Sequence, residues 1–324
     1  RLGVGDTDPH NTPTRVGDGT DWADIQVAEV SALGRKQDGT IWAFGNNGNG
    51  QLGQGDFKPR AKPTQIGTRT DWIAITTHFD HACALRADRT LWCWGKGDEG
   101  QLGQDETSAE GIDRPTPTQV MTWTDVAMVD AGQGHTCAIR VGGTLWCWGR
   151  NTNSVLGLGS SMPKQIRHPV QVAVGSATDW QLVRAGQTAS CGLRAGRVYC
   201  WGEVIDDSQP GSPAGTDVTT PTPIGGPTGA VGLTFNTFGG CSFDAQGAGA
   251  CWGRNAEGQL GLGDESPRHD VVPLPLKGWT WLSAGRFSTC GVRGDRVSCT
   301  GDNTYGQIGL GSVTRVLSFR ELDL

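Results

Sequence analysis

The chain has 324 residues, a formal net charge of −6, 51 glycines and 16 prolines. This glycine and proline content favours many short strands joined by tight turns over long helices. An acidic surface repels phosphate backbones, so the charge disfavours a nucleic-acid partner. No apolar run approaches the roughly eighteen residues of a transmembrane helix, and no signal peptide is visible, so we expect a mature or trimmed chain.

One motif recurs along the whole chain. Residues 90–95 and 144–149 both read Thr-Leu-Trp-Cys-Trp-Gly, and most copies are followed by a turn such as Gly-Gln-Leu-Gly at 100–103. The intervals between copies run from 48 to 54 residues. The glycines that close the six copies are Gly45, Gly95, Gly149, Gly202, Gly253 and Gly301.

Each copy contains four segments that alternate with period two and are bounded by turn residues, which predicts four strands. The first is a stretch that begins at a Trp (72–75), the second contains the first cysteine (83–86), and the third is the Trp-Cys-Trp segment (91–94). The fourth is a Pro-led segment, such as residues 63–66 of the preceding copy. Further Pro-led or apolar strands are predicted at the two termini, at 13–16 and 316–319.

Four-stranded repeats of this length are typical of the blades of a β-propeller. We therefore predict an all-β chain and a single propeller domain over residues 1–324, with six complete repeats and a terminal strand that closes the ring. Seven blades remain the alternative. A solenoid or a set of separate sheets is less favoured, because a lone four-stranded unit could not bury both of its faces.

The cysteines share one register within the repeat. Their spacing of nine or ten residues places both members of a pair opposite each other on adjacent antiparallel strands, with a two-residue turn such as Ala195-Gly196 or a three-residue loop between them. The first repeat has Leu33 and Ala43 at these positions, so both cysteines are absent together. We predict five disulfides, with reduced core cysteines as the weaker alternative. The pairs are Cys83 and Cys93, Cys137 and Cys147, Cys191 and Cys200, Cys241 and Cys251, and Cys290 and Cys299.

Disulfides form in oxidising compartments. The sequence thus predicts a secreted, cell-surface or periplasmic protein. Zinc is disfavoured, because Cys-x9-Cys without a nearby histidine pair is not a ligand spacing.

The chain resembles the regulator of chromosome condensation repeat family. The match is best in His-Ala-Cys-Ala-Leu at 81–85, Leu-Trp-Cys-Trp-Gly at 91–95 and Gly-Gln-Leu-Gly at 100–103. The resemblance implies a propeller, usually of seven blades, and says little about function. Family members include a nuclear exchange factor, a plant photoreceptor and secreted bacterial inhibitors of β-lactamase, and the predicted disulfides favour likeness to the secreted group.

The loop before the second strand of each repeat varies while the framework repeats, which is typical of a binding surface. We predict an extracellular protein-binding scaffold whose partner, of unknown identity, is gripped by these loops. Loops at 104–117, 157–169, 203–223 and 264–275 are a second candidate surface. The predicted binding residues are Phe79, Asp80, Gln133, Gln187, Thr237, Phe238, Arg286 and Phe287.

Two other classes of function are less favoured than protein binding. Carbohydrate or surface-matrix binding is the alternative, because aromatic loops can hold sugars. An enzyme is disfavoured, since no catalytic motif appears and the histidines are scattered, with His81 and His135 at a repeat position that indicates a structural role. We predict no catalytic residue, no metal and no cofactor, and we expect most tryptophans to pack between blades.

Overall fold

The computed structural model describes residues 2–6, 8–104, 112–172, 177–203, 217–236 and 238–323. Within these ranges the chain forms 24 strands and no helix. Each set of four consecutive strands makes one antiparallel sheet, which gives six blades. The predicted all-β, six-bladed propeller is confirmed, with seven blades as the rejected alternative. No helix in the described ranges has the length and apolar character that a membrane crossing requires.

The chain divides into two compact units. Unit 1 comprises residues 1–7 and 15–178, and unit 2 comprises residues 8–14 and 179–324. Each unit holds three blades. The prediction of one domain over the whole chain stays a prediction.

Unit 1 contains blades 1 to 3. In blade 1 the strands are β1 (Trp22–Val27), β2 (Ser31–Lys36), β3 (Ile41–Gly45) and β4 (Arg60–Gln65). Blade 2 consists of β5 (Trp72–His78), β6 (His81–Arg86), β7 (Leu91–Gly95) and β8 (Arg114–Gln119). Blade 3 consists of β9 (Val126–Ala131), β10 (His135–Arg140), β11 (Leu145–Arg150) and β12 (Gln165–Gln171).

Unit 2 contains blades 4 to 6. Blade 4 is made of β13 (Trp180–Ala185), β14 (Ala189–Arg194), β15 (Arg197–Glu203) and β16 (Asp217–Pro223). Blade 5 has β17 (Ala230–Phe235), β18 (Gly239–Asp244), β19 (Ala248–Gly253) and β20 (Arg268–Lys277). Blade 6 has β21 (Trp279–Ala284), β22 (Ser288–Arg293), β23 (Arg296–Gly301) and β24 (Val316–Glu321).

The central hairpin of each blade has the register that the cysteine spacing predicts. Cys191 pairs with Cys200 and Leu193 with Val198, and the turn residues Ala195 and Gly196 have φ of 48° and 69°. Positive φ at both positions is the geometry of a two-residue hairpin turn that follows the twist of the strands. All five predicted disulfides are present, with Cα–Cα distances of 4.0 to 4.1 Å.

The core lies between neighbouring blades. In unit 1, Leu33 and Ile41 of blade 1 share one buried cluster with Trp72, Ile75 and Trp94 of blade 2. The Trp94 ring is fully buried, and its Nε1 donates a hydrogen bond to the Gln51 carbonyl at 3.0 Å. The turn that follows the third strand of one blade therefore caps the tryptophan of the next blade.

The two predicted terminal strands have different outcomes. Residues 316–319 lie within β24, which is the ordinary fourth strand of blade 6 and pairs with β23, so the expectation of an extra closing strand is wrong. Residues 13–16 form no strand. A fourth strand needs a third strand beside it to satisfy its backbone groups, and no described strand pairs with these residues.

Candidate binding surface

The first loop of each blade joins its first and second strands and sits at one register in every repeat. The residue after the closing glycine donates its backbone N–H to a carbonyl of this loop, at 2.7 to 2.9 Å in all six blades. In blade 5, for example, Arg254 donates to Phe238, and in blade 6 Asp302 donates to Phe287. The first loop is therefore held at its base by the framework, while its side chains are left to vary.

The close approach of the first loop explains why each third strand ends in glycine. Gly253 and Gly301 have φ of 101° and 111°, and a Cβ at either position would collide with the carbonyl oxygen of Phe238 or Phe287. Only glycine tolerates both this backbone conformation and this close approach.

In unit 2, the first loops of blades 5 and 6 bring two aromatic rings together. Phe238 and Phe287 stack with centroids 6.0 Å apart and an angle of 24° between their planes. Both side chains are half-buried. A stacked pair in this range adds attraction beyond the burial of its area, so each ring fixes the position of the other.

Two arginines flank the stacked rings. The Arg254 guanidinium lies 4.9 Å from the centre of the Phe238 ring and 5.8 Å from that of Phe287. Arg286 approaches from its own loop, at 5.1 Å from Phe287 and 5.8 Å from Phe238. These distances are within the range of cation–π attraction. We refer to Phe238, Arg254, Arg286 and Phe287 as the Phe–Arg cluster.

Asn236 ties the two loops together. Its Oδ1 accepts a hydrogen bond from the Phe238 backbone N–H at 2.7 Å, and its Nδ2 donates to the Gly285 carbonyl in the neighbouring loop. One side chain thus sets the spacing of the backbones that carry the two phenylalanines.

In unit 1, the first loop of blade 2 is built differently. Phe79 has a left-handed φ of 51°, and its ring contacts that of His78 at 5.0 Å between centroids. Asp80 accepts a hydrogen bond from the Gln51 amide at 3.3 Å, and burial raises the pKa of its carboxyl above the usual value. Phe79 therefore packs within its own loop.

The first loop of blade 3 lies beside one partly buried carboxylate, that of Glu99. Arg150 lies 3.5 Å from Glu99 and donates a 3.3 Å hydrogen bond to Gln133. Burial raises the pKa of the Glu99 carboxyl. The first loops of blades 2 and 3 thus have partly buried acids beside them, whereas those of blades 5 and 6 carry the stacked phenylalanines with two arginines.

The predicted binding residues are only partly brought together. Phe238, Arg286 and Phe287 meet in unit 2, whereas Phe79, Asp80 and Gln133 lie in separate loops of unit 1. Gln187 is half-buried in the first loop of blade 4. Thr237 lies outside the described residues, as do 105–111 and 204–216 of the second candidate surface.

Arg254 was missed by the sequence interpretation. The repeat register could have indicated this residue, because the residue after each closing glycine lies opposite the first loop of its own blade. What the sequence did not show is that the guanidinium reaches two loops.

The histidines at the repeat position are fully buried in unit 1. His81 Nε2 lies 2.9 Å from the Thr136 hydroxyl of the next blade. Burial, together with a smaller effect of the neighbouring His78, lowers the pKa of His81 to about 3. Burial also holds the pKa of His135 well below its ordinary value. Both side chains are therefore neutral groups of the interior at physiological pH.

Comparison with known proteins supports the repeat assignment. Models of the regulator of chromosome condensation (RCC1) repeat match residues 38–85, 89–139 and 142–193, and a second model of this repeat matches residues 126–154. The ultraviolet-B receptor UVR8 of Arabidopsis thaliana is 27% identical over 205 residues, which are 58% of this chain and 44% of the receptor. The chain thus matches less than half the length of this curated relative.

Solved structures show the same fold. Human WBSCR16 superposes with a TM-score of 0.85 at 16% identity, over 97% of this chain and 84% of its own. Prp20p of Saccharomyces cerevisiae superposes with a TM-score of 0.80 at 16% identity, over 94% of this chain and 77% of its own. Likeness to secreted bacterial inhibitors of β-lactamase stays a prediction. The repeat models and the sequence relative support the regulator of chromosome condensation repeat family, and the solved structures have the same fold as this chain.

Proposed function

We propose that this protein is an extracellular protein-binding scaffold that grips its partner with the Phe–Arg cluster of unit 2. The observation that carries the proposal is the meeting of two phenylalanines and two arginines from two repeats, three of them on first loops that backbone hydrogen bonds fasten to the framework. Aromatic side chains and arginine are enriched among the residues that dominate binding energy at protein interfaces.

The rigidity of the loops favours binding. The first loops are fastened to the framework by backbone hydrogen bonds, and the loops of blades 5 and 6 are joined through Asn236. A surface that is ordered before the partner arrives loses less conformational entropy on binding. The cluster suits a partner that offers a carboxylate beside an apolar side chain, because guanidinium groups pair with carboxylates in a fixed planar geometry.

Two further observations support a protein partner outside the cell. The five disulfides are typical of an oxidising compartment. Among structures of the same fold, Prp20 is described bound to Kap60, and Prp20p by its binding to Gsp1p and histones. Those partners belong to the yeast protein, and here they indicate only that this fold can bind proteins.

The test replaces both rings of the Phe–Arg cluster. The chain is cross-linked to extracellular proteins, and the captured proteins are quantified by mass spectrometry. We expect the double variant Phe238→Ala with Phe287→Ala to lose the specific proteins that the wild-type chain captures. Tyr305→Ala is the matched control, because this aromatic residue of the same unit is 80% exposed and lies outside the cluster. Phe238→Leu with Phe287→Leu keeps apolar bulk and shows whether the loops remain folded.

Two outcomes would contradict the proposal. One is an unchanged set of cross-linked proteins in the double alanine variant. The other is binding to a glycan array that this variant loses while no protein is captured, which would assign the cluster to carbohydrate.

A further inference from the structure

In blades 1, 2, 5 and 6, the turn after the third strand contains a glutamine at the same position of the repeat. In blade 5 this residue is Gln259, which is only 3% exposed. The backbone N–H of Glu257 donates to its Oε1 at 3.0 Å, and this bond fixes the orientation of the amide. The other end of the amide, Nε2, is buried and donates no hydrogen bond to a described residue. A buried donor without an acceptor is unfavourable.

In the other three blades, the equivalent amide donates to a carboxylate. The pairs are Gln51 with Asp80 at 3.3 Å, Gln101 with Asp98 at 3.5 Å, and Gln307 with Asp302 at 2.8 Å. At the positions equivalent to these three aspartates, in the same order, blade 5 has Phe287, Ala256 and Arg254. Blade 5 therefore has none of the three acids that accept from this amide elsewhere, and one of them is replaced by a cation.

Blade 2 shows how the acid and the two donors fit together. The Asp98 carboxylate lies 3.2 Å from the Lys96 ammonium and accepts the hydrogen bond from Gln101. Blade 5 keeps both kinds of donor, because Arg254 stands at the position of Lys96 and Gln259 at that of Gln101. Only the carboxylate between them is replaced, by a methyl group.

Arg254 and Gln259 both line one small cavity of unit 2, and Phe238 of the Phe–Arg cluster forms part of its wall. The cavity volume is about 10 Å³, which is roughly the room that one water-sized atom needs. In the part of the chain that the structure describes, no carboxylate pairs with Arg254. The carboxylate of Glu257 is used elsewhere, since it pairs with Arg315 at 2.6 Å.

We propose that this cavity binds a carboxylate group from an aspartate or glutamate side chain of the partner protein. One carboxylate oxygen enters the cavity and accepts from Gln259 Nε2, as Asp98 accepts in blade 2, while the group pairs with the Arg254 guanidinium. The source of the carboxylate rests on the proposed function, because the same Arg254 belongs to the Phe–Arg cluster.

The first variant supplies the acid from within the chain. Ala256→Asp copies Asp98 of blade 2, and Ala256 is exposed, so the change suits the fold. The new carboxylate should pair with Arg254 and Gln259 and repel any other carboxylate from the cavity. Ala256→Asn has the same size without the charge and is the matched control. Thermal melting checks that both variants are folded.

The probe is the capped dipeptide acetyl-leucyl-glutamate amide, which offers a carboxylate beside an apolar side chain. We expect it to shift the NMR signals of the Gln259 side-chain amide saturably in the wild type and in Ala256→Asn. Ala256→Asp should weaken this binding by roughly tenfold or more, because like charges in one site repel. Acetyl-leucyl-glutamine amide lacks the charge and should give no saturable shift. Acetyl-leucyl-glutamine with a free carboxyl terminus tests a chain end as the source and should bind more weakly than the glutamate probe.

Three results would overturn the proposal. They are the absence of a saturable shift with the glutamate probe, equal affinities of Ala256→Asp and Ala256→Asn for it, and tighter binding of inorganic phosphate or of the chain-end probe.

Protein capture separates this site from the proposed function. If the double alanine variant of the Phe–Arg cluster loses the captured proteins and Ala256→Asp keeps them, the cluster remains the interface and the carboxylate site is wrong. If Ala256→Asp loses both the probe and the captured proteins while the double alanine variant keeps them, the carboxylate site stands and the two phenylalanines are not the interface.

Discussion

Blades 1 and 2 differ in three ways, although their sequences align at a constant offset of 50 from Trp22 to Gly45. Blade 2 carries the Cys83–Cys93 disulfide, whereas blade 1 has Leu33 and Ala43 in its place. The tryptophan that begins the first strand is 4% exposed in blade 2, as Trp72, and only half-buried in blade 1, as Trp22. Blade 2 also begins its second strand with a buried histidine, where blade 1 has Ser31.

The central hairpin thus forms with a disulfide in blade 2 and without one in blade 1. Both central hairpins have the same register, so neither the disulfide nor a covering neighbour is needed to define it. The period-two pattern and the turn residues define it locally. The disulfide and the neighbouring blade add stability to a hairpin that is already specified.

The largest difference between the blades should appear at the tryptophans that begin their first strands. Trp72→Ala should lower the free energy of unfolding by about 3–5 kcal/mol, as expected for a large ring removed from a packed core. Trp22→Ala should cost clearly less, because its ring borders a cavity. Urea denaturation of both variants measures the difference, and equal losses would show that blade 1 is packed as tightly as blade 2.

The second prediction converts the hairpin of blade 2 into that of blade 1. Cys83→Ala with Cys93→Ala should cost roughly 2–3 kcal/mol, the chain-entropy value for a loop of this length. Cys83→Leu with Cys93→Ala copies Leu33 and Ala43, which are 2% and 1% exposed, and should recover the packing part of the loss. Denaturant titration compares the two variants. Greater destabilisation by leucine would mean that blade 2 has no room for the side chain that blade 1 buries.

The smallest expected effect is a loss of folding stability at acid pH that depends on His81. His81 has a pKa of about 3 in the folded chain against about 6.5 when unfolded. Below pH 6.5 the His81 imidazole therefore binds a proton in the unfolded chain but stays neutral in the folded chain. The free energy of unfolding falls as the pH is lowered towards 3. Between pH 6 and pH 5 this amounts to about 1 kcal/mol.

The serine of blade 1 provides the control for this effect. His81→Ser should remove about 1 kcal/mol of the loss between pH 6 and pH 5, measured as the free energy of unfolding at each pH. Identical pH dependence in the variant and the wild type would mean that His81 binds its proton in the folded chain as readily as in water.

The candidate surface could be predicted only in part. The sequence correctly indicated that the first loops vary on a repeated framework, and it named Phe238, Arg286 and Phe287. It placed Phe79 in the same binding set, although the Phe79 ring packs on His78 and lies apart from the cluster. It also did not include Arg254. Loop side chains have no periodicity, so their mutual distances depend on how the blades are placed.

The sequence by itself determined the repeat, the strand register and the pairing of the cysteines, because these follow from local alternation and from the length of each hairpin loop. Only the tertiary structure decided which equivalent positions are covered. Ile25 and Ile75 are the same residue at the same point of the repeat, yet they are 42% and 5% exposed. Burial depends on the neighbouring sheet, and residues 13–16 lack strand structure for a related reason, since no described third strand pairs with them.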